Sequence, residues 1–212
     1  MTRRRRRLDP ERRPPRVLPA LLATIAAVLL GAAPASAFDA DETFRKGTFV
    51  FSVELQGGVQ DNIGGGFQSD LEMVGGGLRF GLLPFGPTFA GPVRGALEVS
   101  LGPYYQRYRG PVDASWAGLG LALRYHFLSV GRVVPYVEVM GAAGGTDLRI
   151  REIDSTFSFL THGSVGASLV LTDRAALYVG YRLQHVSNGY TSIPNRGFES
   201  HGGVIGLSLF FP

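Results

Sequence analysis

Apolar and polar side chains alternate with period two along most of the chain beyond residue 48. In the first such stretch, Phe49, Phe51, Val53 and Leu55 share one face, and Ser52, Glu54 and Gln56 share the other. That spacing predicts a β-strand with one oily and one polar side. The pattern recurs over residues 71–82, 93–101, 117–127, 133–143, 157–169, 175–187 and 201–211. In the seventh stretch Leu177, Val179, Tyr181 and Leu183 oppose Gly180, Arg182 and Gln184; in the eighth, Ile205, Leu207, Leu209 and Phe211 oppose Gly206 and Ser208.

Eight strands of about 10 residues, each with one apolar face, predict an all-β, eight-stranded antiparallel transmembrane β-barrel. Long Gly-, Asn- and Asp-rich connections alternate with tighter turns such as Thr172-Asp173-Arg174. Glu54, Arg94, Glu98, Arg124, Glu138 and Arg182 all fall opposite the apolar stripes. The lumen of so small a barrel is nearly filled by side chains, so these charges predict a lumen plugged by Arg–Glu pairs. A soluble, lipocalin-like barrel with an apolar cavity has the same periodicity. The uninterrupted Phe, Leu and Val on nearly every oily face favour the membrane.

The ends of the chain change the charge picture. Arg3 to Arg7, Arg12, Arg13 and Arg16 precede an apolar run from Val17 to Leu30 and the small residues Ala35-Ser36-Ala37. This is the order of a secretory signal, with residues 1–37 removed and 38–212 forming the barrel. Eight of the 21 Lys and Arg and two of the 17 Asp and Glu lie in that leader, so 13 basic and 15 acidic groups remain. A mature chain near −2 gives no reason to expect a nucleic-acid partner. There is no cysteine, which excludes disulfides and thiolate metal sites.

Strand parity also places the candidate chemistry. Continuing the apolar face of the seventh strand past Leu183 brings His185 and Ser187 outward; continuing the eighth back from Phe211 brings His201 and Glu199 outward. All lie at the end of the hairpin farthest from the short turns. Polar groups there are unfavourable without partners or a task. Facing residues of antiparallel strands approach to about 5 Å, and i,i+2 neighbours lie about 6.6 Å apart. Glu199 can therefore orient His185, His185 can take the proton of Ser187, and Ser187 can attack an acyl carbonyl. Asn188 and the backbone N–H groups of the following loop, Gly189 included, are the expected oxyanion donors. An interfacial polar cap without catalysis fits the same parity. A one-residue slip of the eighth strand would turn Glu199 into the lumen.

The run His185-x-Ser187-Asn188, followed by Pro194-Asn195-x-Gly197-x-Glu199, resembles the signature of the lipid A 3-O-deacylases, the PagL-like outer-membrane family. The resemblance is densest over residues 185–199. It implies an outer-membrane serine esterase that removes the 3-position acyl chain of lipid A, with Ser187 as nucleophile, His185 as base, Glu199 as orienting acid, and Asn188 and Asn195 contributing to the oxyanion and substrate-positioning site. It implies no cofactor and no metal. The expected partner is lipid A in the outer leaflet, with a homodimer left open. A non-catalytic structural barrel, or an esterase for another lipid, remains the alternative.

Other residues are weaker candidates. His126 and His162 fall on the lumen face, and His201 shares the outward face with Glu199. Trp116, Tyr104, Tyr105, Tyr108 and Tyr190 suit an aromatic girdle. Arg107 and Arg109 are expected in an outer loop, as solvated residues or as contacts to phosphates.

Overall fold

The computed structural model of the protein describes residues 38–63 and 68–212; the expected signal segment, residues 1–37, lies outside the described residues. Eight strands follow in order: β1 (Phe49–Gln60), β2 (Glu72–Leu82), β3 (Gly95–Arg109), β4 (Ala114–Phe127), β5 (Val133–Thr146), β6 (Phe157–Thr172), β7 (Ala175–Ser187) and β8 (Phe198–Phe211). Each pairs antiparallel with its neighbour, and β1 also pairs with β8, closing the barrel. Closure leaves no strand edge to be satisfied, the condition for a sheet in hydrocarbon.

The burial pattern separates the two barrel readings. Outward positions are apolar all round the wall: Phe49, Phe80, Leu101, Leu119, Val139, Val165, Leu183 and Ile205 are all exposed. The charges face inward, with Glu98 and Arg124 0% exposed, Arg182 2% and Glu138 3%. A barrel with its charges inside and its oil outside is built for lipid. No helix among the described residues is long and apolar enough to cross a membrane; this barrel crosses with strands.

Burying charge costs several kcal/mol per ion unless geometry and hydrogen bonds compensate; here ion pairs supply the compensation, while Arg79 Nε and Arg124 Nη1 are left without a hydrogen-bond partner among the described residues. Glu138 on β5 accepts from Arg79, from Arg124 Nε at 2.8 Å and from Arg182 Nη2 at 3.2 Å, and its other contact is His162 Nε2 at 3.0 Å. Glu54 on β1 accepts from Arg182 Nη1 and the Tyr178 hydroxyl, both at 2.9 Å. Toward the site end, Gln56 Nε2 donates to Gln106 at 2.8 Å and to Gln184 at 3.3 Å. The lumen is thus plugged by paired Arg and Glu, with His126 and His162 inside as parity predicts.

Two expectations are corrected. Trp116, Tyr104 and Tyr108 are buried in the lumen, not in a girdle, because they occupy even positions of β3 and β4; Tyr105 and Tyr190 are exposed. Arg107 and Arg109 lie on β3, which runs eight residues beyond its expected end and leaves only residues 110–113 as loop. Ahead of β1, Asp39 caps a single helical turn, Ala40–Thr43, by accepting from the Asp41 and Glu42 N–H groups. Phe44 then enters the barrel mouth, its ring centroid 5.0 Å from that of His126 and 5.1 Å from that of Phe210.

Candidate functional site

The β7–β8 register pairs His185 with Glu199, Leu183 with His201 and Gln184 with Ser200. Alternation then sends His185, Glu199 and His201 outward while Gln184 and Ser200 stay buried. The slip that would turn Glu199 inward does not occur. Across the hairpin, His185 Nδ1 lies 2.9 Å from Glu199 Oε1. A carboxylate accepts, so the shared hydrogen sits on Nδ1, and in the neutral ring the lone pair is then on Nε2.

Glu199 is held by its backbone as well. Its N–H donates to Asn62 Oδ1 at 3.1 Å, and its carbonyl accepts from the Asp61 N–H at 3.1 Å. The imidazole is shaped by Gly197, where a Cβ would lie 2.8 Å from His185 Cε1 and 3.1 Å from Nε2. Gly197 also has φ +65, a conformation that glycine adopts at no steric cost.

Ser187 closes β7, two residues past His185 on the same face and half-buried. Such neighbours are about 6.6 Å apart along a strand. Among the described residues the only hydrogen bond between side chains of these three is His185–Glu199; Ser187 makes none with the imidazole. In unliganded sites such bonds often form only with substrate present.

The loop that follows, residues 188–197, is tightly tied. Asn188 is fully buried; its Nδ2 donates to Ser192 Oγ at 2.8 Å, Ser192 O at 3.0 Å and Pro194 O at 3.3 Å, and its Oδ1 accepts from the Tyr190 N–H. The Asn188 N–H is also engaged, by Asn195 Oδ1 at 2.9 Å. Both asparagines thus organise the loop, and every donor of Asn188 is in use. The Gly189 N–H has no hydrogen-bond partner among the described residues.

Glu152, which sequence reasoning did not single out, anchors this end. Its buried carboxylate accepts from Gln60 Nε2 at 2.8 Å, the Ser69 N–H at 2.9 Å and Ser69 Oγ at 2.6 Å. Its backbone oxygen accepts from the Arg196 N–H at 2.8 Å, and Ile153 bridges Asn195. Gln60 Nε2 also reaches Asn62 Oδ1 at 3.3 Å, the atom that receives the Glu199 N–H. A hydrogen-bonded chain therefore runs from Glu152 through Gln60 and Asn62 to Glu199.

Beside the His185–Glu199 pair an outward cavity of about 560 Å³ is lined by Asp61, Tyr181, Leu183, His185, Glu199 and His201, among others. Gly163 lines it too, and a Cβ there would meet nothing within 4 Å. His201 turns to Asp61, 3.7 Å from its Nε2, and packs against the Tyr181 ring. Arg107 is bound to Asp113 by two hydrogen bonds, and these hold the Asp113 carboxyl below its ordinary range. No group of three or more metal-ligating side chains occurs among the described residues.

A family model described as lipid A 3-O-deacylase (PagL) matches residues 72–208. Among solved structures, the outer membrane enzyme PagL is similar with a TM-score of 0.58 at 16% identity, over 74% of this chain and 97% of that one. Neisserial surface protein A (NspA) is similar with a TM-score of 0.52 at 16% identity, over 78% of this chain and 100% of that one. At such identities these two likenesses speak for the fold. No curated protein matches the chain at a significant level.

Proposed function

Since the chain belongs to the lipid A 3-O-deacylase (PagL) family and is an outer-membrane enzyme, we propose that its triad is Ser187, His185 and Glu199, and that it cleaves the 3-position acyl ester of lipid A. The observation that carries this is the outward-facing His185–Glu199 hydrogen bond at 2.9 Å, set beside an open cavity in the barrel wall.

In this reading Glu199 holds the imidazole in the tautomer whose Nε2 can accept a proton. Nε2 takes the Ser187 proton as Oγ attacks the ester carbonyl, and Glu199 stabilises the imidazolium that forms. The Gly189 N–H is the donor left to meet the oxyanion, because those of Asn188 are consumed in the loop. Collapse of the tetrahedral intermediate breaks the bond to the sugar oxygen, which leaves with the proton from His185. Water, deprotonated by His185, then hydrolyses the acyl-serine and frees the fatty acid. The cavity beside His185 gives the departing acyl chain an apolar berth at the lipid side. No metal or organic cofactor enters these steps.

The test is a mass spectrum of lipid A from cells expressing wild type, Ser187→Ala or His185→Asn. Loss of one hydroxyacyl chain with the wild type alone supports the assignment. Identical spectra from all three would overturn it.

A further inference from the structure

We propose that Arg196 binds the phosphomonoester on the substrate's sugar headgroup, and so sets the preference for phosphorylated lipid. The inference rests on the deacylase reading, since that is what brings a phosphoglycolipid to this hairpin. In lipid A the phosphate-bearing sugar carbon lies two carbons from the one whose ester is cleaved.

Position is the first argument. Gly197 is so close to His185 that a Cβ there would lie 2.8 Å from the ring. Arg196 is its chain neighbour, with Cα atoms about 3.8 Å apart, so its long side chain starts beside the imidazole and has the reach to meet a group one sugar ring away. The Arg196 backbone is also fixed, through its N–H to Glu152 O at 2.8 Å and through the Ile153–Asn195 bridge on its other side. The backbone is thus held in place, and the planar fork of a guanidinium matches a phosphate bidentately.

Availability is the second. Arg107 and Arg149 in the outer end are already committed, at 2.7 Å, to Asp113 and Asp154. Arg196 is exposed and makes no ion pair among the described residues. The two acids nearest the imidazole have partners of their own: Glu199 holds His185, and Asp61 lies against His201. Arg109 is exposed as well, but β3 and β7 are four strands apart in an eight-strand barrel, on opposite walls.

Binding is measured first, with Ser187→Ala protein in detergent micelles, so that the answer does not depend on turnover. Its affinity for bisphosphorylated lipid A is compared with that for lipid A lacking the phosphate on the reducing sugar. We expect the phosphate to improve affinity roughly tenfold or more, the worth of a charge-assisted hydrogen bond. Adding Arg196→Ala should abolish that difference, Arg196→Lys should keep part of it, and Arg109→Ala should leave it intact. In the active enzyme the same substitution should raise KM for the phosphorylated substrate and leave kcat within about twofold, since the contact is made equally in ground and transition states. Equal affinity of the Arg196-containing protein for both lipids overturns the proposal, as does an equal loss for both on substitution. So does recovery of binding to the dephosphorylated lipid when phosphatidylglycerol is added, because a neighbouring lipid would then supply the phosphate. Phosphate-dependent binding without acyl release by the wild type would support this site while sinking the deacylase assignment.

Discussion

Glu199 reaches His185 from the facing strand, Oε1 to Nδ1 at 2.9 Å, and both project from the outer wall of the barrel. Removing the carboxylate frees the ring to rotate and to take the other tautomer. Glu199→Gln should lower kcat by roughly 10²- to 10⁴-fold, the usual span for one general acid–base element, while the folded, heat-modifiable band on gels is retained. Acyl release from lipid A micelles within a fewfold of wild type would remove Glu199 from the mechanism.

Gly197 guards the geometry of the same ring. Alanine there would have to hold φ near +65 and place a methyl group 2.8 Å from His185 Cε1. The left-handed backbone costs about 1–2 kcal/mol, and the same methyl would lie 2.9 Å from the Val186 carbonyl oxygen, so the local backbone must shift as well. A displaced imidazole matters more, since a 1 Å misplacement can cost about 10²-fold in rate. Gly197→Ala should therefore lose far more activity than thermal stability, as measured by turnover beside a melting curve.

The inside and outside of the wall were legible from parity alone. His185 and Glu199 could be assigned to one face before any coordinates, because period-two alternation continues through Leu183 and back from Phe211. The hairpin register confirms that assignment. Where glycine or proline interrupts the alternation, legibility fails. Gly75-Gly76-Gly77 hid the inward Arg79, and Gly102-Pro103 hid the outer half of β3. Trp116, Tyr104 and Tyr108 have side chains typical of a girdle, but their even positions turn them into the lumen. The clasp built on Glu152 left no local trace: its partner Gln60 is 92 residues away, and only closure of the barrel brings the two together.

Glu138 is the electrostatic centre of the lumen, shared by Arg79, Arg124 and Arg182. Glu138→Gln preserves shape and deletes the charge, leaving three buried guanidinium groups with less compensation. Breaking a buried pair in this way costs about 3–5 kcal/mol. The temperature at which the barrel unfolds on gels should fall clearly, whereas activity measured well below it should stay within about twofold. An unchanged unfolding temperature would mean that lumen water carries the charge of the guanidinium groups.

Glu152 links the site to the loops without touching it. Its carboxylate receives three hydrogen bonds from Gln60 and Ser69, and the Gln60–Asn62 contact passes the constraint to the Glu199 N–H. Hydrogen bonds to a charged group contribute about 1.5–3 kcal/mol each, so Glu152→Ala should release Gln60 and Ser69 from the β5–β6 loop against which the Arg196 backbone is bonded. The barrel strands do not depend on these bonds, and their melting should be unchanged. Amide exchange over residues 189–199 should quicken, and kcat should fall. Glu152→Gln keeps one carbonyl acceptor for Gln60 and the Ser69 N–H, and its amide can donate to the Ser69 hydroxyl in place of the lost bond, so it should recover most of both. If alanine and glutamine impair activity alike, it is the negative charge of Glu152, and not its hold on the loops, that the site requires.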